Sequence, residues 1–533
     1  MTRTHEPDER APLLGSNGHA NNHPQSDDDI NPLQSHIPES HSLPPATAPI
    51  PPSRRIAVIT LLSVLSIALA LCGTLATTAV LQDLEDIICR RVHGPAFPLP
   101  GVAFEDDPCK DDEIMSEITM LMGWYSVFAL LPGLVLAVPF GAVADRYGRV
   151  VVLGLSLLGV TINTCWIFFV CLMDGAMDLR FVWLGNLAGV IGGGPMVFTS
   201  MMYTAIADVS TDEQRTAMFF YIGAVLMGGS LVSHPITYLA MQVGTWFAWT
   251  AGLSLCAGAT VVVFCMPETL DKTAAAKVDP VPLTETERLP LLDRAKAVSV
   301  HTFRVIRWLF WEQRLVGFLL LSLTFEILGK GATAAIQQLY ISKRYHLTFA
   351  EADLMDTVSL IAILVVLTII LPYLSHFLLA HGWSSRAKDL RLAQGSALLT
   401  ALGCLLMAVA ETIPVVSVAL VIYSLGVGYT FMIRGLMTSL AGGKDIGLLY
   451  SSIGFVEAVA LMSAAPFYSY LFKIGMSWGG RWVGLPYLVA GVILVGAAFL
   501  VGGIKGAYVD VEDEGETSEG NGASRESEEN GGV

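Results

Sequence analysis

Charge is what this sequence has least of. Only 15% of its 533 residues are Asp, Glu, Lys or Arg, against 53% apolar, and its 50 glycines stand outside the apolar count. An average soluble chain is about a quarter charged. That deficit, with a mean hydropathy of +0.58, excludes a disordered chain, a coiled coil and an ordinary water-soluble enzyme of this length. No basic stripe is present, which argues against a nucleic-acid partner despite the length of the chain. No G-x-x-x-x-G-K-[ST] segment could cradle a nucleotide, and no spaced set of Cys and His suggests a metal site. No cofactor and no covalent catalysis are expected, and no N-x-Ser/Thr sequon occurs. The first apolar run begins near Ile56, too deep for a cleavable signal peptide.

The charges that do occur are concentrated at the ends. Residues 1–53 are polar, with the acidic run Asp27–Asp29 and prolines 44, 49, 51 and 52. Residues 506–533 form an acidic tail with Arg525 its single base. Both are expected to be disordered and cytosolic, because they hold too little apolar surface to offset their ordering entropy. Between them run twelve stretches long enough to cross a hydrocarbon core of about 30 Å as helix. They fall at roughly 56–80, 118–140, 150–173, 181–207, 217–241, 245–266, 315–341, 355–380, 392–411, 414–438, 446–471 and 483–504. For stretches of this length, helices satisfy the backbone inexpensively in lipid, and Gly and Pro are common in such helices. The run Gly189–Pro195 reads either as a tight helix crossing or as a break lining a path.

The expected fold is therefore an all-α polytopic membrane protein of two six-helix halves. The first half spans 54–266 and carries an external loop at 81–117; a cytosolic linker follows at 267–314, with a short interfacial helix near Val298–Trp311; the second half spans 315–505. The bias of Lys and Arg in short loops favours both termini in the cytosol. Arg54, Arg55, Arg146, Arg149, Arg215, Arg386, Lys388, Arg391 and Lys444 fall on that side. The external loop contains Cys89 and Cys109, a possible disulfide in an oxidising compartment. Trp246, Phe247 and Trp249 read first as an interfacial belt and second as a gate.

One loop carries a resemblance. Gly141, Asp145, Arg146, Gly148 and Arg149, after the second stretch, match G-x-x-x-D-R-x-G-R, which resembles the signature loop of the major facilitator superfamily. Glycine 148 suits a tight turn, the arginines anchor the loop, and Asp145 is expected to cap a helix start and to pair with a base, holding one conformational state or simply fixing topology. A second stretch, Ala207–Thr216 with Asp208 and Arg215, is similar to a loop of the solute-carrier branch that includes proton-coupled folate transporters and their lysosomal relatives, and the general impression is of a fungal-type member. The G-P-x-x-G-G pattern of drug antiporters is absent. The resemblance implies a proton-coupled transporter of a small organic solute working by alternating access, with the site between the halves near mid-membrane. An exporter of toxins or secondary metabolites, and a non-transporting nutrient sensor or scaffold, are the alternatives.

Charged groups at membrane depth face a cavity or a partner. Glu326 and Lys330 lie four apart in the seventh stretch, a spacing that suits an ion pair. Arg434 in the tenth stretch and Glu457 in the eleventh complete the set in the second half. Glu457 is the leading candidate for binding a proton or a substrate charge, with pairing to Arg434 as the alternative, and Arg434 could hold an anionic substrate. The first half shows only His234 at depth, read as a hydrogen-bonded core histidine or a titrating group. Finally, Glu9–Leu14 and Glu287–Leu292 match E-x-x-x-L-L. Sorting adaptors could read Leu13 and Leu14, or Leu291 and Leu292, which leaves a plasma membrane or a vacuolar, lysosome-like membrane as the address.

Overall fold

The computed structural model describes residues 52–94, 108–174, 176–210, 212–269, 314–440 and 446–503. The expected tails at 1–53 and 506–533, the central linker with its interfacial helix, both E-x-x-x-L-L segments and Lys444 lie outside the described residues, apart from a few marginal positions. Everything described is helix, turn or short connection, with no strand among the described residues. Among the described residues, twelve spans are long and apolar enough to cross a membrane: Ser53–His93, Asp112–Ala137, Arg149–Leu172, Leu179–Val209, Ala217–Val243, Thr245–Val263, Arg314–Tyr345, Phe349–Ala380, Ser385–Val409, Ile413–Leu440, Ser452–Trp478 and Gly480–Gly503. The chain is an all-α integral membrane protein.

Two boundaries differ from the expectation. The first helix runs unbroken from Pro52 to His93; its 42 residues reach about 63 Å at 1.5 Å per residue, so it projects well past a bilayer core. Its last turns bury Leu84, Ile87, Ile88 and Cys89 at helical spacing, and that stripe continues the helix through Asp83, Glu85 and Asp86. The external loop expected at 81–117 therefore begins only at Gly94. The eighth span likewise starts early, at Phe349. A reciprocal capping box sets that start: Thr348 Oγ1 accepts from the Glu351 N–H at 3.2 Å, and Glu351 Oε2 accepts from the Thr348 N–H at 2.9 Å.

Several spans are broken where the sequence changes character. The fourth is a 3-10 segment, Leu179–Ile191, that turns at Gly193 (φ 77°) and Gly194 (φ 67°) before the α-helix Gly194–Val209. Only glycine adopts that backbone without strain, so Gly189–Pro195 is a break. It also crosses closely: Ser156 Oγ donates to the Gly192 carbonyl at 2.6 Å. The eighth span contains a π turn, Val366–Ile370, just before Pro372. The tenth is interrupted between Leu425 and Tyr429.

The first span packs on the fifth and sixth, the second on the eleventh, the fifth on the eighth and the seventh on the eleventh. The buried apolar side chains fall into three clusters. One contains residues of both halves, among them Leu84, Cys89, Ile114, Trp249, Tyr340, Phe349, Tyr468 and Tyr487. The other two each belong to one half: Val58, Leu62, Val152, Phe198 and Ile206 in the first, and Val316, Leu320, Tyr429, Met437 and Val501 in the second. The halves thus share one core at the end bearing Lys110 and keep separate cores at the end bearing Arg149.

Candidate functional site

At the Lys110 end the two halves are latched. Cys89 of the first span is joined to Cys109 by a disulfide, Cα to Cα 5.2 Å, which holds the 3-10 turn Pro108–Lys110 against the first span. Lys110 is 4% exposed. Its Nζ lies 2.6 Å from the equally buried Glu85, donates to Ser342 Oγ of the seventh span at 2.6 Å, and sits 4.3 Å above the Phe349 ring. Lys343 reaches back, donating to the Lys110 carbonyl at 2.5 Å and pairing with Asp112 at 2.7 Å. Asp83 accepts from Trp249 Nε1 at 2.6 Å. Trp249 is therefore an interior residue rather than part of the interfacial belt expected of it, while Trp246 and Phe247 are exposed.

At the opposite end the signature loop is tied within its own half. Arg149 is buried; its guanidinium meets Asp145 at 2.6 Å and Asp208 of the fourth span at 3.2 Å. The expectation that Asp145 caps a helix start is corrected: Asp145 lies inside the helix Asp112–Tyr147 and pairs with Arg149 one turn on. The cap comes from Glu268, whose carboxylate accepts from the N–H groups of Arg149 (2.8 Å) and Val150 (3.4 Å), where the helix dipole favours an anion. Arg54 donates to the Glu268 carbonyl. Gly148 is required here, since its φ is 117° and a Cβ would come within 2.1 Å of Glu268 Oε2. Arg146 lies beside the Tyr147 ring, and a Cβ added at Gly141 would meet nothing within 4 Å. The side chain of Arg215 lies outside the described residues. Glu268 was missed because the apolar run ends before it.

Between these ends the four charged candidates of the second half pair with one another: Glu326, 1% exposed, with Lys330, and Arg434 with Glu457. A different group bridges the halves. His234 Nδ1 of the fifth span lies 3.1 Å from Asp353 Oδ2 of the eighth. Gln338 donates to Asp353 at 2.6 Å, Gln337 donates to Asp356, and Gln338 also reaches Thr78 of the first span at 3.4 Å. One ligand atom from each of His234, Asp353 and Asp356 lies within 4.8 Å of the others, close enough to surround a cation. The amide N–H groups of Gln337 and Gln338 occupy one oxygen of each carboxylate, and the Asp353 oxygen left over faces His234. These side chains line a cavity of about 350 Å³ together with Thr74, Thr77 and Tyr125 of the first half and Thr333 of the second. Sequence reasoning found His234 but neither Asp353, which falls ahead of the expected 355–380 stretch, nor Asp356, which was passed over at the start of that stretch; the Thr348–Glu351 capping box was the available signal for the earlier helix start.

Two six-helix halves with broken helices around a central cavity are the architecture of secondary transporters. The chain belongs to the Major Facilitator Superfamily, whose family model matches residues 90–465. It is 30% identical over 441 residues to the MFS efflux pump atnC of Emericella nidulans, covering 81% of this chain and 84% of that one. It is 24% identical to the efflux pump ustT of Aspergillus flavus, covering 80% and 83%. Among solved structures, a D-xylose–proton symporter superposes with a TM-score of 0.57 at 14% identity, covering 84% of this chain and 97% of that one. The protein is a transmembrane transporter of this superfamily.

Proposed function

We propose that the chain is a proton-driven exporter of a small organic molecule, with both termini in the cytosol of a plasma or vacuolar membrane. The efflux pumps among its relatives support the direction. The observation that carries the coupling is the His234–Asp353–Asp356 group, the titratable set that joins the halves at the wall of the cavity. The elements packed around it add Gln337 and Gln338 from the seventh span, Thr74 and Thr78 from the first and Tyr125 from the second. A protonated His234 attracts Asp353 and holds the Lys110 end together. A neutral His234 leaves two carboxylates with no cation opposite, and that end loosens.

The cycle follows from that sign. With the Lys110 end outward, the latch there and the separate cores at the Arg149 end fit an inward-facing state. A proton taken from outside draws the halves into this arrangement; its release to the cytosol removes the attraction and lets the solute-loaded protein reopen outward. Glu326–Lys330 and Arg434–Glu457, each already neutralised by its partner, hold the second half together in this reading. The test is conformational. A fluorophore pair spanning the Lys110 end should report closure as pH falls and opening as it rises, and His234→Gln should flatten that response. A pH response unchanged in His234→Gln and in Asp353→Asn would refute the assignment. Replacement of Leu13 and Leu14, or of Leu291 and Leu292, by Ala decides the address: relocation of the protein supports a vacuolar sorting role, and unchanged location removes it.

A further inference from the structure

We propose that a groove on the outer surface of the first half, at the start of the fourth span, is the seat of one phospholipid with a zwitterionic headgroup, in the leaflet at the Lys110 end. The groove has a volume of about 330 Å³ and shares no residue with the cavity beside His234. Its floor is the 3-10 segment Leu179–Ile191. Runs of that winding longer than three or four residues are uncommon, and at three residues per turn, positions three apart eclipse one another. Phe181, Leu184 and Leu187 therefore form one straight, exposed ridge, while Val182 and Gly185 turn inward. In an α-helix each step of three would fall about 60° short of a full turn, and the ridge would wind away from the groove. The facing wall is aromatic. Phe128 of the second span lies 5.7 Å from the Trp183 ring, and Trp183 Nε1 donates to the Leu121 carbonyl at 3.0 Å, which ties the two spans together there.

The charges of the groove sit at one end of it. Asp178 and Arg180 both line it and both are exposed. No charged residue follows Arg180 until Asp208, so the two mark where the span enters the hydrocarbon. At about 2.0 Å per residue, Arg180 to Leu187 covers about 14 Å, close to half of a hydrocarbon core of about 30 Å. The ridge thus runs from the interface through the depth of one leaflet, which is the path of an acyl chain. Asp178 Oδ1 caps the 3-10 segment, accepting from the Arg180 N–H at 3.0 Å. The Arg180 guanidinium has no hydrogen-bond or ion-pair partner among the described residues. An unpaired guanidinium complements a lipid phosphate. The carboxylate two residues away complements an ammonium and repels a second negative charge. Together they select a headgroup that carries both signs.

The test uses the full chain, purified in detergent and titrated with phosphatidylcholine or phosphatidylglycerol carrying the same two oleoyl chains, with bound lipids counted by native mass spectrometry. One phosphatidylcholine should be held at least about tenfold more tightly than any further copy, the scale of a hydrogen bond to a charged group. The first phosphatidylglycerol should be about fivefold weaker, the scale of an exposed charge pair. Arg180→Gln should weaken the first phosphatidylcholine by about tenfold. Asp178→Asn, which still caps the segment, should bring the two lipids within about twofold of each other. Leu184→Trp, which fills the groove, should remove the tight lipid of either kind, whereas Phe499→Ala, at another exposed position, should change nothing. Equal retention of the two lipids, as for an unselected lipid shell, overturns the proposal. So does a preference for phosphatidylglycerol, or tight phosphatidylcholine binding unchanged in both Arg180→Gln and Leu184→Trp. Lipid retention needs no flux, so neither outcome bears on the transport reading.

Discussion

Removing the Glu85 charge should unlatch the Lys110 end. Lys110 and Glu85 are both 4% exposed and 2.6 Å apart, and Lys110 also bridges to Ser342 of the other half. In Glu85→Gln the ammonium stays buried without its counter-charge. Breaking one side of a buried pair costs about 3–5 kcal/mol. When the end opens, Lys110 is hydrated and the substitution costs little, so nearly all of that penalty falls on the closed state. Because the Ser342 hydroxyl and the Phe349 ring remain, the lower figure applies, and about 3 kcal/mol moves the closed-to-open ratio by about 150-fold. The assay is labelling of Thr78→Cys by a membrane-impermeant maleimide, with the six free cysteines replaced. Thr78 is fully buried in the closed arrangement and lies beside Gln338 of the other half, so it reacts only on opening. Labelling from the Lys110 side should accelerate by up to that factor in Glu85→Gln and return towards the parent rate in Glu85→Gln/Lys110→Met, where no charge is left unpaired. An unchanged rate in the single variant, with the protein folded, would refute the latch.

The other expectations are smaller in scope. Gly148→Ala must place a Cβ 2.1 Å from Glu268 at φ 117°, so it should lower stability by about 1–3 kcal/mol, read as a fall in melting temperature that Glu268→Ala in the same chain partly restores. Glu457→Gln should cost about 1 kcal/mol of stability, since the pair with Arg434 is only partly buried, while leaving proton coupling in place; coupling lost in a stable Glu457→Gln would return the proton to that residue. Cys89→Ser/Cys109→Ser frees the turn that presents Lys110 and should raise Thr78→Cys labelling in the same direction as Glu85→Gln; equal labelling would detach the disulfide from the latch.

How much of this was legible in the sequence follows from what hydropathy measures. Twelve spans and their division into halves were readable because apolar runs of bilayer length are unmistakable. The signature loop was readable from its residues, but not that Glu268 caps it, because that contact joins positions 119 residues apart. The group proposed to carry the proton was hidden for a related reason. Reading by apolar runs trims charged helix ends, so Asp83 and Glu85 fell into a loop, Asp353 ahead of a span and Asp356 at its very start, although Leu84–Cys89 and the Thr348 capping box extend both helices. Which charges pair across helices depends on helix rotation. Glu326 with Lys330 was readable as neighbours one turn apart on one helix, whereas Glu457 was equally open to a proton role and to Arg434 until the fold set them face to face.

The central claim is that a proton at the His234–Asp353–Asp356 group is exchanged for a solute. It is tested most directly by solute-driven proton movement in sealed proteoliposomes of the purified protein, loaded with pooled small organic metabolites under an imposed pH gradient, beside vesicles carrying Asp353→Asn. The account predicts protons moving opposite to one solute pool, and no such movement in the variant. Solute flux without proton movement, or coupling that persists in Asp353→Asn, would contradict it.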